Sequence, residues 1–141
     1  PFSLIIFDLD NLEQLQEAYG TANSDLILMN IARIVAREVR PRDIVARYND
    51  TQFAVILPET DVSGVKIFAD RLRASIAEVA PLVDGNELKT SITIGGATYN
   101  PAAPEVTIGD FVMTAERALT NAKKDGDSQI RIMLISVKGE E

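Results

Sequence analysis

Residues 4–10 read Leu-Ile-Ile-Phe-Asp-Leu-Asp, a short apolar run that is closed by two acidic side chains. The run is far shorter than the roughly 20 apolar residues that a membrane span requires. A continuous apolar run of this length is typical of a fully buried strand. We therefore predict that residues 1–9 form a buried strand.

Four helices are predicted where apolar residues recur at helical spacing. The second of them is expected to begin at a cap formed by Asn23 or Ser24 and to stop before Pro41. The predicted helices cover residues 12–19, 23–39, 62–79 and 108–124.

Short β-type runs predict the remaining strands, over residues 44–48, 52–57, 88–99 and 130–137. A tight hairpin turn is predicted at residues 49–51, because Asn and Asp tolerate a positive φ. Gly95-Gly96 is expected near the end of its strand, residues 83–86 are expected to form a turn, and residues 100–104 a surface loop.

The resulting order βααββαβαβ contains no internal repeat. Such an order predicts an α/β fold of the α+β sandwich type, with a single mixed five-stranded sheet flanked by helices. A chain of 141 residues that is 46% hydrophobic and 25% charged is sufficient for one compact domain.

The composition excludes several classes of function. The chain has no Cys, His or Trp, which excludes disulfides, Cys/His zinc sites, thiol nucleophiles and His-dependent triads. Any metal would be a hard ion held by oxygen atoms. The net charge of −7 argues against a general nucleic-acid or anionic-membrane surface. Since no signal peptide is recognised, we expect a cytoplasmic location.

Asp8 and Asp10 stand two residues apart at the end of the first strand, so both side chains are expected on the same side of the sheet. Carboxylates in this arrangement can help to hold Mg²⁺ and a nucleotide phosphate. For an isolated pair of this kind, however, two solvated acids at a strand end are the more common situation.

The stretch from Ile6 to Asp10 resembles the first motif of the haloacid-dehalogenase-like phosphatases. That family continues with Gly-Thr, whereas this chain continues with Asn11-Leu12. The family also uses a Rossmann-like scaffold of alternating strands and helices. The predicted hairpin at residues 49–51 and the short chain disfavour this family, which remains a remote alternative.

A second resemblance extends over residues 3–132 in a consistent order. The motifs that carry it are Leu4–Asp10, Tyr19-Gly20, Ser24-Asp25, Arg47–Phe53, Thr93–Gly95, Ala115–Ala118, Ala122-Lys123 and Gly126. On these motifs the chain resembles the GGDEF domain family of diguanylate cyclases. The resemblance implies a nucleotide-cyclase-like βααββαβ core. It also implies that residues 1–141 are a single domain, excised from a larger multidomain signalling protein and lacking the family's N-terminal helix.

Active members of the family condense two GTP molecules into cyclic di-GMP, and their signature hairpin carries Gly-Gly-Asp/Glu-Glu-Phe. The corresponding residues here are Asn49-Asp50-Thr51-Gln52-Phe53. Side chains at the two glycine positions, one of them anionic, are expected to weaken triphosphate binding. Thr51 replaces the acid that holds metal and promotes deprotonation of the attacking hydroxyl, and it has no carboxylate. The resemblance therefore implies a degenerate, catalytically inactive domain that requires no cofactor and holds no Mg²⁺.

Other matched positions are partly altered. Asp8 matches the first metal-binding acid but lacks its partner at position 51, so it is a weak remnant. Glu13 and Asp127 stand where the family usually has Lys and Arg. The remaining candidates for guanine or phosphate contacts are Gln16, Asp25 and Lys123. Asp25 is explained equally well as an exposed acid near a helix N-terminus.

The segment Arg40-Pro41-Arg42-Asp43 matches the Arg-x-x-Asp motif by which the family binds its product at an inhibitory site. Arg71 matches a second Arg of that site. Guanidinium groups suit guanine edges and phosphates, and a carboxylate accepts the guanine N1 and N2 hydrogens. An ordinary charged loop after a helix would show the same residues. We favour cyclic di-GMP binding by Arg40, Asp43 and Arg71.

Three hypotheses follow from these resemblances. The first is an inactive domain that binds cyclic di-GMP and regulates a neighbouring EAL phosphodiesterase or sensor domain in the same protein. The second is an interaction or dimerisation module that binds no nucleotide. The third is a regulator that binds GTP weakly, or a residual cyclase. Neither nucleic acid nor a membrane surface is expected as a partner.

Overall fold

The computed structural model of the chain describes residues 1–100 and 106–135. Its elements are β1 (Phe2–Leu9), α1 (Leu12–Tyr19), α2 (Thr21–Glu38), β2 (Ile44–Arg47), β3 (Gln52–Pro58), α3 (Val62–Glu78), β4 (Leu82–Val83), β5 (Asn86–Glu87), β6 (Ile92–Tyr99), α4 (Ile108–Lys124) and β7 (Ile130–Ile135). This order confirms the predicted alternation, and the turn predicted at residues 83–86 is the tip of the small β4–β5 hairpin. The predicted loop lies outside the described residues except for Asn100, and so do the last two residues of the final predicted strand.

The main sheet has five strands in the order β2-β3-β1-β6-β7. Only β6 and β7 pair in parallel, and the other neighbours are antiparallel, which confirms the predicted mixed sheet. β1 is the central strand. It is buried from Ser3 to Leu9, as its continuous apolar run predicts.

Helices cover both faces of this sheet. On one face, α1, α2 and α3 pack on a core that includes Ile5, Phe7, Phe53, Leu72 and Ile94. On the other face, α4 packs on a smaller core of Leu4, Ile6, Ala97, Ala115 and Leu119. Each large apolar side chain that is fully buried contributes about 1.5–3 kcal/mol to folding. None of the described helices is long and apolar enough to span a membrane.

The prediction that Gly95-Gly96 lies near the end of a strand is wrong. β6 begins at Ile92, four residues later than predicted, and both glycines lie in its middle. They are needed there for close packing. A Cβ atom on Gly95 would overlap the backbone of Leu119 in α4, and one on Gly96 would lie 2.7 Å from Ile132 Cδ1.

The predicted start of the second helix is also wrong. α2 begins at Thr21, directly after Gly20, whose φ of 85° allows the chain to turn between two helices. Asn23 and Ser24 do not cap the helix. Their side chains donate instead to the carbonyls of Tyr19 and Thr21, at 2.8 Å each, and so they satisfy carbonyl groups at the α1–α2 junction.

Candidate functional site

Two clefts lie near the two ends of the central strand β1. The first, which we call the acidic cleft, has a volume of about 340 Å³ and is lined by Asp8, Asp10, Glu13, Thr51, Lys123 and Asp127 among others. The second, the arginine cleft, has a volume of about 270 Å³, and its lining includes Arg40, Glu59, Thr60, Asp61, Phe68 and Arg71. Because Phe2 pairs with Pro58 and Asp8 pairs with Gln52, the two clefts are separated by about 20 Å along the strand.

Asp8 is held by an ion pair at the acidic cleft. Its Oδ2 atom contacts the ammonium group of Lys123, which projects from the last turn of α4. The Oδ1 atom is the buried side-chain polar atom that has no hydrogen-bond partner within residues 1–100 and 106–135. Burial lowers the pKa of Lys123.

Asp10 has a structural role. Its Oδ1 accepts from Thr93 Oγ1 at 2.6 Å, and its Oδ2 accepts from Ser91 Oγ at 2.5 Å and from the backbone N–H of Ser128 at 2.8 Å. The carboxylate therefore joins the end of β1 to the start of β6 and to the loop before β7. Asp8 and Asp10 lie on the same side of the sheet, as predicted, and both line this cleft, where both oxygens of Asp10 already accept hydrogen bonds from the protein.

The predicted hairpin at residues 49–51 is present, although its turn needs no positive φ at these residues. Asn49 Oδ1 accepts the backbone N–H of Thr51 at 3.1 Å, an Asx-type turn that closes the loop. Tyr48 Oη donates to Glu116 of α4 at 2.9 Å, and this hydrogen bond raises the pKa of Tyr48. The hairpin thereby places Thr51, but not Asp50, in the lining of the acidic cleft.

Negative charge dominates the acidic cleft. Glu13 and Asp127 line it together with Asp8 and Asp10, and Lys123 is the single cation among its lining residues. Asp127 Oδ2 accepts from Asn11 Nδ2 at 2.9 Å, a neutral partner that leaves the charge in place. Gln16 and Asp25, which were predicted as guanine contacts, lie on α1 and α2 outside the lining of this cleft.

The carboxylates at the end of β1 are already engaged by other groups of the protein. In the described part of the chain, no group of three or more acidic side chains is arranged to hold a metal ion. Asp8 is paired with Lys123, both oxygens of Asp10 accept internal hydrogen bonds, and Thr51 is uncharged. Mg²⁺ is normally bound by one or two free carboxylates together with phosphate oxygens and water.

The arginine cleft contains two of the three residues predicted to bind cyclic di-GMP, Arg40 and Arg71. The third, Asp43, is turned inward, with only 1% of its side chain exposed. Arg40 Nη2 donates to Asp43 Oδ1 at 2.8 Å, and the Arg40 backbone N–H donates to Oδ2 at 2.8 Å. Burial by itself would raise the pKa of Asp43, but the hydrogen bonds and the charge of Arg40 outweigh it and lower that pKa. The bond to Asp43 raises the pKa of Arg40.

Arg40 also holds the chain that follows β3. Its Nη2 donates to the carbonyl of Pro58 at 3.0 Å and to Thr60 Oγ1 at 2.8 Å. Arg71 is held on the opposite side of the cleft, where its Nε donates to Glu38 Oε1 at 2.8 Å and its guanidinium lies 5.3 Å from the ring centre of Phe68. Within the described residues, the Nη1 atom of each arginine has no partner.

Three residues of the arginine cleft and its surroundings, Glu59, Thr60 and Glu38, were not predicted from the sequence. A usable signal was present for the first two. Because β2 and β3 form a hairpin in which Ile44 pairs with Ile56, residues just after β3 must lie beside those just before β2, which are Arg40 to Asp43. No comparable signal was present for Glu38, which meets Arg71 only through the packing of α2 against α3.

Comparisons with known proteins extend over nearly the whole chain. A family model described as diguanylate cyclase, GGDEF domain, matches residues 1–129. Diguanylate cyclase A of Treponema denticola is 29% identical over 130 residues, which are 92% of this chain and 34% of that protein. The chain spans only about a third of the length of the first curated relatives that it matches.

Two solved structures from Pseudomonas aeruginosa are similar in fold and sequence. One is diguanylate cyclase SiaD in complex with its activator SiaC, with a TM-score of 0.87 and 25% identity over 93% of this chain and 49% of that one. The other is the GGDEF domain of TpbB, also called YfiN, with a TM-score of 0.85 and 28% identity over 93% of this chain and 81% of that one.

Proposed function

Because the chain belongs to the GGDEF domain family of diguanylate cyclases, we propose that it is a catalytically inactive member that binds cyclic di-GMP in the arginine cleft. The observation that carries this proposal is the difference in charge between the two clefts. One cleft presents four carboxylates against a single ammonium group, whereas the other presents two guanidinium groups together with the two carboxylates of Glu59 and Asp61.

The acidic cleft is unsuited to GTP. A triphosphate would meet the carboxylates of Glu13 and Asp127, and like charges that are brought close together repel each other. Thr51 has no carboxylate to accept the proton of an attacking hydroxyl or to hold a metal ion. These features support the absence of cyclase activity and of any requirement for Mg²⁺.

The arginine cleft suits a dinucleotide with two phosphates and two guanine bases. A guanidinium group binds phosphate oxygens, or the O6 and N7 acceptors of guanine, through parallel N–H donors. The side chains of Arg40 and Arg71 are 39% and 51% exposed, and in the described part of the chain their Nη1 atoms have no partner while Nε and Nη2 are held by internal hydrogen bonds. Groups held in this way lose little conformational freedom when a ligand binds.

The biological output follows from the resemblance to degenerate members of the family. We propose that the domain acts in the cytoplasm, and that cyclic di-GMP bound to it regulates a neighbouring domain, such as an EAL phosphodiesterase. As a second proposal, the domain acts as an interaction module whose partner is another copy of itself.

Calorimetric titration tests the ligand. We expect micromolar binding of cyclic di-GMP, and neither binding nor turnover of GTP with Mg²⁺. Arg71→Ala removes one exposed guanidinium and should weaken cyclic di-GMP binding about tenfold or more, the usual effect of losing charged hydrogen bonds. Arg40→Ala is a poorer probe, because it also strips Asp43 of its partner.

Arg33→Ala is the matched control, since Arg33 is an exposed arginine of α2 that does not line the cleft. It should bind cyclic di-GMP as tightly as the unchanged chain does. Equal weakening by both substitutions would assign the effect to net charge and contradict the site. Turnover of GTP would contradict the proposed inactivity. If neither nucleotide bound, the interaction module would be favoured.

A further inference from the structure

One side of helix α2 is exposed to solvent along most of its length. The opposite side packs on the core of the sheet through residues such as Ile27, Ile31 and Ile34. Because an α-helix advances about 100° per residue, six of the exposed positions fall within an arc of about 100°. We call this surface the α2 face, and its residues are Ala22, Asp25, Leu26, Met29, Arg33 and Ala36.

The α2 face combines large apolar side chains with unpaired charges. Leu26 is 60% exposed and Met29 is 50% exposed. Within residues 1–100 and 106–135, Asp25 and Arg33 form no hydrogen bond or ion pair through their side chains. They are eight residues apart, about 12 Å along the helix, and so they cannot pair with each other in one copy. Arg37 adds a second positive charge one turn after Arg33, which leaves that end of the face without a carboxylate.

The residues of the α2 face are arranged symmetrically about Met29. Asp25 lies four residues before it and Arg33 four residues after it. Ala22 and Ala36 lie seven residues before and after it. If two copies of the helix pack antiparallel with Met29 on the two-fold axis, each Asp25 lies opposite the second copy's Arg33. The two alanines then also lie opposite each other, and their small side chains allow a close approach of the helices. The α2 face is therefore complementary to itself, as a two-fold interface requires.

We infer that the α2 face is a dimerisation surface and that its partner is the α2 face of a second copy of this chain. The inference rests on the second proposal for the domain, that it associates with itself, and it is independent of cyclic di-GMP binding. No residue of the α2 face lines either cleft. Six side chains are fewer than the roughly 20–30 residues that each partner contributes to a standard interface, so the dimer should be weak, with a dissociation constant above about 10 µM.

Sedimentation equilibrium of the chain without nucleotide, at concentrations from about 10 µM to about 1 mM, tests the surface. Asp25→Arg places arginines opposite each other, and Arg33→Asp places carboxylates opposite each other. Each variant alone should therefore lose at least about tenfold in dimer affinity. An equimolar mixture of the two variants should recover the affinity, because every opposed pair in the mixed dimer again has one charge of each sign. This recovery would also show that both variants are folded.

Arg117→Asp is the matched control, since Arg117 is exposed on α4, which covers the other face of the sheet, and the net charge changes by the same amount. It should dimerise like the unchanged chain. A dimer that persists in both single variants, or that their mixture does not restore, would overturn the α2 face and leave self-association intact. An unchanged chain that stays monomeric up to about 1 mM would overturn both and leave the proposed binding of cyclic di-GMP standing.

Discussion

The two clefts occupy opposite ends of one strand and differ in how their charged groups are paired. In the acidic cleft, Asp10 and Asp127 accept from neutral hydroxyl and amide donors, so their charges persist, and Lys123 neutralises Asp8 alone. In the arginine cleft, the paired carboxylates accept from guanidinium groups that still present further N–H donors. The ligand preference of each cleft therefore follows from the charges and the N–H donors that remain after internal pairing.

The largest effect should come from Gly95→Ala, which acts on α4, the helix that carries Lys123 to the acidic cleft. A methyl group on Gly95 would overlap the backbone of Leu119, one turn before Lys123 on α4. Because backbone atoms cannot move aside by a side-chain rotation, α4 itself must shift away from the sheet. We expect the free energy of unfolding to fall by about 3 kcal/mol, at the upper end of the usual cost of overpacking, as measured by urea denaturation.

Gly96→Ala is the matched control on the same strand. Its methyl group would meet the tip of the flexible Ile132 side chain at 2.7 Å, with Ile5 Cγ2 at 3.1 Å and the carbonyl oxygen of Leu4 at 3.2 Å, all farther than the 2.1 Å to the Leu119 backbone at Gly95. The side chains can adjust by rotation, so the loss should be nearer to about 1 kcal/mol. If Gly96→Ala proved as destabilising as Gly95→Ala, the close approach of α4 to β6 would not be the cause.

Asp43→Asn should have the second largest effect, and it acts on the residue that holds Arg40 at the arginine cleft. Replacing the buried carboxylate weakens its hydrogen bonds with Arg40, and we expect a loss of about 2 kcal/mol at pH 7. Because the pKa of Asp43 is lowered on folding, its stabilisation is present above the unfolded-state pKa of about 4. The difference between the two proteins should therefore shrink as the pH falls below about 4 and through the lower folded-state pKa.

Urea denaturation at a series of pH values measures this difference directly. Asp70→Asn serves as the control, because Asp70 pairs with Arg73 in an exposed ion pair within α3. Exposed pairs contribute little, so this variant should remain within about 0.5 kcal/mol of the unchanged chain. A loss from Asp43→Asn that stayed constant down to about pH 2 would show that the carboxylate charge is not responsible.

The fold could be predicted from the sequence because local patterns and tertiary packing agree. The run from Leu4 to Leu9 predicts the central strand, and the spacing in residues 108–124 gives the bounds of α4 correctly. The positions of Gly95 and Gly96 could not be predicted in this way. Because glycine weakens a strand, local sequence preference predicts it at a strand end, whereas the close approach of α4 requires glycine in the middle of β6.

The candidate sites were predictable only in part, for a similar reason. Matching residues to a motif identifies Arg40 and Arg71, which do share a cleft. Motif matching cannot show that both oxygens of Asp43 accept hydrogen bonds from Arg40, because these bonds depend on the geometry of a loop. Nor does it show that Asp10 is satisfied by Thr93 and Ser128, residues more than 80 positions away in the chain.

Arg42→Ala should have the smallest effect, and it distinguishes the role of Arg42 from that of Arg40 in the segment before β2. The ion pair between Arg42 and Glu59 leaves 55% and 74% of the two side chains exposed, so water screens it. We expect the free energy of unfolding to change by less than about 0.5 kcal/mol, as measured by urea denaturation, whereas loss of the Arg40 contacts through Asp43→Asn costs several times more. A loss above about 1 kcal/mol would mean that the turn at Glu59, directly after β3, depends on Arg42 as well as on Arg40. In that case the division of the loop into one anchoring arginine and one surface arginine would be incorrect.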